Sequence, residues 1–233
     1  MSETLSSSVS RFSQAKAEHT AQMQKLNGIR SAIARCEKER EAAIANGQEA
    51  ESSWRTRFRD LRGAITPELR AEHSQRIASR ELAGEFAALT EELETEKQWE
   101  MIRAVGTGRR YVNAHHTAFT EYAESQWDAA LRSLSPALLR AIRLKLMALT
   151  LSDGGRDTCP LHEEPTVVLA RLTGDILTKK AASAPLDMEA EPVLSQIGLH
   201  RPALTGVDMN LYNSPASCHV LSQKLKEKKE KKA

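Results

Sequence analysis

Apolar residues recur every three or four positions along most of the first 150 residues, and that spacing predicts helices. The first stripe runs Val9, Phe12, Ala15, His19, Met23, Leu26, Arg30, Ile33, with His19 and Arg30 as its breaks; Ile29, Ile33 and Cys36 continue it in a slightly shifted phase. Lys16, Glu18, Gln24, Lys25, Arg35, Glu37, Lys38 and Glu39 occupy the other faces. This is an amphipathic helix of coiled-coil character, with Ser6, Ser7 or Ser8 available as its cap. A break is expected near Asn46-Gly47. A further helical piece, Glu49 to Arg62, carries Trp54, Phe58 and Leu61 on one face, and Gly63 stops it before a new start at Thr66-Pro67.

The stretch from Thr66 to about Gly106 contains no proline after Pro67. Its apolar members are Leu69, Ile77, Leu82, Phe86, Leu89, Leu93, Trp99, Ile102 and Val105. As one helix it extends ~60 Å at 1.5 Å per residue. A rod of that length needs a second long helix, and the stripe Val9 to Cys36, folded back antiparallel, supplies one. Its acidic middle, Glu85, Glu91, Glu92, Glu94 and Glu96, reads as a solvated face or as a patch turned toward a partner. Gly106-Thr107-Gly108 before Arg109-Arg110 predicts a break or hinge. A phosphate cradle is disfavoured there, because no strand precedes it and neither nucleotide-binding glycine signature is completed.

Helix resumes at Tyr111, with Tyr111, His115, Phe119, Tyr122, Trp127, Ala130, Leu131 and Leu134 on one stripe. Aromatics at this spacing form a core stripe rather than a platform for stacked bases. Ser135-Pro136 opens the next helix, which carries Leu138, Leu139, Ile142, Leu146 and Leu149. Shorter helices are expected over Thr166–Lys180 and Val193–Leu199, and a final short apolar turn over Cys218–Leu225, separated by loops. The fold class is all-α: long antiparallel coiled-coil helices with shorter helices toward the C-terminal side. Four segments follow: 1–63, an N-terminal coiled-coil region; 64–152, long central helices and an aromatic core; 153–223, short helices and loops; and 224–233, a Lys-rich tail.

Charge changes this picture little. The formal net charge is +2, but the tail Lys224–Ala233 holds six lysines and two glutamates, so the rest of the chain is net negative by two. That balance argues against a nucleic-acid-binding body. The alternative of nucleic-acid binding is confined to Arg109, Arg110, Arg140, Arg143 and the tail, which reads as a disordered, solvated end or as a polyanion contact. Cys36, Cys159 and Cys218 are too few and too scattered for a disulfide framework. No signal sequence and no apolar run of membrane-spanning length occurs, so the expected location is the cytoplasm, without membrane contact.

Candidate chemistry is thin. Cys159 and His162, with Glu163 and Glu164 behind them, fall short of a convergent metal set. His115 and His116 are adjacent, and adjacent helical positions point about 100° apart. No cofactor, no metal and no enzymatic activity is expected.

Several short patches nonetheless share an order with a known family. Ile197-Gly198-Leu199-His200-Arg201-Pro202, then Val207-Asp208, Leu211-Tyr212 and Pro215-Ala216, resembles the pattern Ile-Gly-Phe-Arg-Pro, Val-Asp and an aromatic before Pro-Ala of the polarity suppression protein family of satellite phages. Trp99 and Arg110-Tyr111-Val112-Asn113-Ala114-His115 extend the resemblance to that family's Arg-Tyr-Ile-x-Ser-His. The resemblance implies an intertwined homodimer that binds the termination factor Rho and suppresses termination, and that decorates and stabilises the capsid exterior. It places the partner-binding residues at Arg201, Leu211, Tyr212 and Pro215, with Tyr212 as anchor. It places the dimer core at Trp99, Tyr111, His115, Phe119, Tyr122 and Trp127. It adds the virion surface as a second location.

Overall fold

The computed structural model describes residues 3–153 and 163–232. Seven helices follow one another among them, with no strand: α1 (Glu3–Asp60), α2 (Pro67–Arg132), α3 (Pro136–Asp153), α4 (Pro165–Ser183), α5 (Pro192–Ile197), α6 (Met209–Asn213) and α7 (Pro215–Lys232). They form two compact units. One comprises Met1–Val9 and His116–His200; the other comprises Ser10–His115 and Arg201–Ala233.

The larger unit is organised by α1 running antiparallel to α2. His19 meets Thr107, Lys25 meets Glu100, and Arg57 meets Glu72, so each step forward in one helix is a step back in the other. The buried or half-buried positions of α1 keep a three-four alternation through Phe12, Ala15, His19, Gln22, Leu26, Ile29, Ile33 and Cys36, then Ala43, Gly47 and Ala50. The facing positions of α2 do the same through Glu100, Ala104, Thr107, Tyr111 and His115. Small and polar side chains fill many of these places.

The expected break at Gly47 does not occur; α1 continues to Asp60. Gly47 instead sits against α2, where an added Cβ lies 3.4 Å from the Ser79 Cβ. The hinge expected at Gly106–Gly108 is likewise absent, and α2 runs 66 residues through both glycines. An added Cβ at Gly108 lies 3.4 Å from Leu204 and 3.5 Å from His19, so this glycine serves close packing. Gly106 has open space around it. Gly106→Ala is therefore expected to stabilise α2 by about 1 kcal/mol through helix propensity, raising the melting temperature by roughly 2–4 °C for a chain of this size. A lower melting temperature would show that the glycine is needed for a bend.

The turn between α1 and α2 closes tightly. Gly63 N–H donates to Phe58 O and Arg62 N–H to Arg59 O, both at 3.0 Å, the paired bonds that end a helix through a left-handed residue. Arg62 takes that residue's place at φ 47°, with Gly63 following at φ 84°. The Thr66 hydroxyl accepts from Leu69 N–H at 3.3 Å and starts α2.

The Lys-rich end is not a disordered tail. It forms the second half of α7, anchored by Leu225, which is 3% exposed. Lys228 Nζ reaches Glu91 at 3.2 Å and the Thr95 hydroxyl at 3.4 Å, so the acidic middle of α2 supplies the counter-charge that holds these turns down.

In the smaller unit, Leu5, Val9, Ala118, Tyr122, Val193, Leu194 and Ile197 are buried. The Tyr122 hydroxyl donates to Glu191. That hydrogen bond, then burial and the Glu191 charge, push the phenol up to about 12. Helices α3 and α4 pack on each other as a hairpin.

Candidate interaction surfaces

At the C-terminal end of the larger unit, Asp208 caps α6, its Oδ1 accepting from Asn210 N–H at 2.9 Å and Leu211 N–H at 3.2 Å. The cap turns Leu211 inward against Val105 and Val207, with Met23, Met101, Leu204, Tyr212, Cys218 and Leu221 partly buried around them. The Arg109 guanidinium donates to the carbonyls of Leu211 and Tyr212 and lies 5.5 Å from the Tyr212 ring centre. Arg201 approaches the ring at 5.8 Å and donates to the Tyr212 hydroxyl at 3.0 Å. Tyr212 is thus held between two arginines, and Pro215 opens α7 directly behind it. These four expected partner residues do gather at one end. Leu211, at 8% exposure, belongs to the packing of that end rather than to its surface.

Of the residues expected in a core, Tyr111 and His115 pack on Phe12, with ring centres 5.4 and 5.9 Å apart. Tyr111 also stacks on His19 at 5.8 Å. Burial lowers the His19 pKa and raises that of Tyr111. Tyr122 is buried and Phe119 half-buried. Trp127 is 62% exposed and stands outside the core of this chain. Trp99 is half-buried and lines a groove.

That groove, about 570 Å³, is lined by Lys25, Glu96, Trp99, Glu100, Arg103 and Lys228 among others. Its floor is Glu100, which is 1% exposed. Glu100 accepts from Gln22 Nε2 and Lys25 Nζ, each at 2.6 Å, and from Arg103 Nη1 at 2.5 Å. Burial pushes the carboxyl up, but the bonds from Gln22 and Lys25 and the charges of Arg103 and Lys25 outweigh it, and the net pKa is lowered. A carboxylate with a depressed folded pKa contributes stability above the ordinary glutamate range and loses it as pH falls through the folded value. Because Lys25 and Arg103 are half-exposed, the contribution is modest. Glu100→Gln is expected to melt lower than the wild type at pH 7, by the equivalent of about 1–2 kcal/mol. The gap should close as pH falls below about 4. A gap independent of pH would assign the loss to packing alone.

A third surface lies on the α3–α4 hairpin. No side chain of α4 is buried, nor is any described side chain of α3. Leu139, Leu144, Met147, Leu172, Ile176 and Leu177 are all exposed. Cys159 and His162 lie outside the described residues. Among the described residues, no group of three or more His, Cys, Asp or Glu is placed to hold a metal ion. No helix there is long and apolar enough to cross a membrane.

Glu100, Gln22 and Arg109 escape a hydropathy reading, since charged and amide side chains at stripe positions look like solvated ones. Extending the three-four spacing backward from Tyr111 and His115 would have placed Glu100 inside.

These features define a protein that is all-helical among the described residues, with exposed apolar side chains on the α3–α4 hairpin and a charged groove beside Trp99. Relatives sharpen this. No family model matches the chain. The chain is homologous to Glycoprotein 3 of Enterobacteria phage P4, 28% identical over 224 residues, which cover 96% of this chain and 91% of that protein. A solved chain from the satellite phage P4 procapsid including size determination (Sid) protein superposes with a TM-score of 0.82 at 26% identity, over 99% of this chain and 98% of that one. Neither description names polarity suppression or Rho. The satellite phage is common to these relatives and to the family resemblance of the sequence patches.

Proposed function

We propose that this chain is a non-enzymatic, self-associating helical protein that binds a satellite-phage capsid and takes part in setting its size. The observation that carries this reading is the end-to-end likeness, TM-score 0.82, to a chain of a procapsid that includes a size determination protein. Homology over nearly the whole length to a protein of the same phage supports it. The test is co-production of the P4 procapsid's shell protein with and without this chain, followed by electron microscopy of the particles. Uniformly smaller shells, with the chain bound, are expected. An unchanged diameter distribution overturns the reading.

Self-association is supported by the α3–α4 hairpin. A pair of helices with no fully buried side chain gains little to offset the entropy of ordering it, and contiguous exposed apolar surface marks an interaction site. A second copy of the chain supplies the matching surface by symmetry. The three-four spacing of buried residues on α1 and α2 supports a coiled-coil pairing within each chain.

The Rho contact rests on the sequence resemblance alone. Tyr212, its expected anchor, is engaged by Arg109 and Arg201 of the same chain, a placement that favours a structural role over an anchor. Nucleic-acid binding is disfavoured by the engagement of Lys228 with α2. The capsid reading places the protein in the host cytoplasm during assembly and on the particle afterwards.

A further inference from the structure

The turn joining α1 to α2 carries a cavity of about 390 Å³, lined by Trp54, Phe58, Ile65, Leu69, Arg70 and His73 with Ser74. That volume falls in the range of ordinary ligand pockets. Its walls are ordered by contacts within the chain. Trp54 stacks on Phe58 with ring centres 5.1 Å apart and meets His73 at 5.7 Å. Arg76 covers the Trp54 ring at 5.1 Å, and Leu69 is buried. The rim is apolar and open: Ile65 is 63% exposed, and Phe58 and Leu61 are exposed beside it.

The surroundings are strongly basic. Between residues 55 and 76 stand six arginines, against Asp60, Glu68 and Glu72. Arg57 is paired with Glu72, and Arg55 and Arg76 with Glu51. Arg59, Arg62 and Arg70 make no ion pair among the described residues, and Arg70 lines the cavity itself. Arg62, in the turn between the two helices that supply the cavity walls, holds a left-handed backbone that glycine would adopt without strain. An apolar, aromatic-walled pocket lined by the unpaired Arg70, with Arg59 and Arg62 close in sequence to its walls, is complementary to one kind of occupant.

We propose that this turn is a docking site for an acidic segment of a partner protein that inserts a bulky apolar side chain. The anchor fills the space between Trp54, Phe58 and Ile65, and flanking carboxylates pair with Arg59, Arg62 and Arg70 in the fork geometry arginine offers. Burying an aromatic or aliphatic anchor within a charged rim is how interfaces concentrate their binding energy. The site stands on its own geometry and does not depend on the capsid reading.

The test uses the full chain and fluorescence anisotropy of a labelled ten-residue peptide of Asp and Glu with a central Leu-Phe pair. Two companions carry a central Ala-Ala pair, or Lys in place of every acid. Saturable binding of the first peptide that weakens with salt is expected. Binding should be at least tenfold weaker for either companion, and tenfold weaker for the first peptide when the chain carries Ile65→Asp or the pair Arg62→Glu and Arg70→Glu. Circular dichroism and melting of the Ile65→Asp chain should match the wild type, because Ile65 is in the exposed turn. Equal binding of the Ala-Ala peptide, or of a single-stranded oligonucleotide, would reduce the site to a nonspecific anion patch and overturn the proposal. No binding, or binding unchanged by the variants, overturns it too. A fall in the chain's own oligomeric mass in Ile65→Asp would assign the pocket to a second copy instead.

Discussion

Val105→Asp is expected to release the C-terminal segment from α2. Val105 is buried at the centre of the cluster formed with Val207 and Leu211. An aspartate there enters an apolar cluster whose nearby guanidinium, Arg109, is already engaged by the Leu211 and Tyr212 carbonyls, and a buried charge without a free partner costs about 3–5 kcal/mol. That is a large share of the roughly 5–15 kcal/mol by which proteins of ordinary stability are folded. Residues 201–232 depend on this cluster, on the Asp208 cap and on the two arginine clamps, so the loss should fall on them first. Hydrogen exchange followed by mass spectrometry should show amides of α6 and α7 losing protection by orders of magnitude, while the facing residues of α1 and α2 near the turn keep theirs. Val105→Ala, which only trims the side chain, should cost about 2 kcal/mol and leave the segment docked. Unchanged exchange in the aspartate variant would mean that the clamps at Tyr212 alone hold this end.

The second large effect is expected at the α3–α4 hairpin. Leu144→Glu combined with Ile176→Glu places two carboxylates on a face that is exposed in the single chain. Folding of one chain should be little affected, since neither side chain is buried. Association of copies through that face should be abolished. Central apolar contacts contribute about 2 kcal/mol or more each to an interface, and losing two of them weakens association about 1000-fold. Light scattering at micromolar concentration should therefore report the monomer mass for the double variant and a multiple of it for the wild type. Lys145→Glu, which changes charge on the same helix without touching the apolar face, serves as control and should keep the wild-type mass. Identical masses for wild type and double variant would remove the hairpin as the self-association surface. If the double variant also fails to reduce shell diameter, self-association and capsid binding are coupled, so that many weak contacts act together on a symmetric lattice.

How much of this was legible in the sequence differs from element to element. The antiparallel pairing of the two long helices was, because Phe12, Ala15, Leu26, Ile33 and Cys36 keep a spacing that only a helix turns to one side. The phase was read less well. Met23 was read into the stripe, but Gln22, half-buried beside it and bonded to Glu100, was not, because a hydropathy pattern favours methionine over glutamine. On α2, Trp99, Ile102 and Val105 drew attention away from Glu100, Ala104 and Thr107, which are buried as well. Small and polar residues at such positions let two helices approach, and they leave little apolar signal. The glycines misled for a related reason. Their backbone freedom suggests breaks, but at Gly47 and Gly108 the useful property is the missing side chain.

The candidate surfaces were legible only in part. Arg201, Leu211, Tyr212 and Pro215 lie at one end of the larger unit, yet Leu211 is packed inside and Tyr212 is clamped, since nothing in the sequence ties Arg109 to a residue a hundred positions away. The apolar residues of α3 and α4 were read as those of two separate helices, with nothing to show what they pack on. A sequence shows which residues share a face and does not show whether anything in the chain covers it.

The end of α7 works as an ionic-strength gauge. Beyond Leu225 it has no apolar anchor, and its described contact to α2 is the reach of Lys228 to Glu91 and Thr95. Exposed charges at these distances feel the counterions around them, with a screening length of about 8 Å at physiological salt and about 30 Å at 0.01 M. In dilute buffer the last turns are drawn onto the acidic stretch and roof the groove beside Trp99. In concentrated salt they are expected to loosen, which hydrogen exchange of α7 at 0.01 M and 1 M salt would register, and the same molecule would then offer a lysine-studded arm and an uncovered row of glutamates.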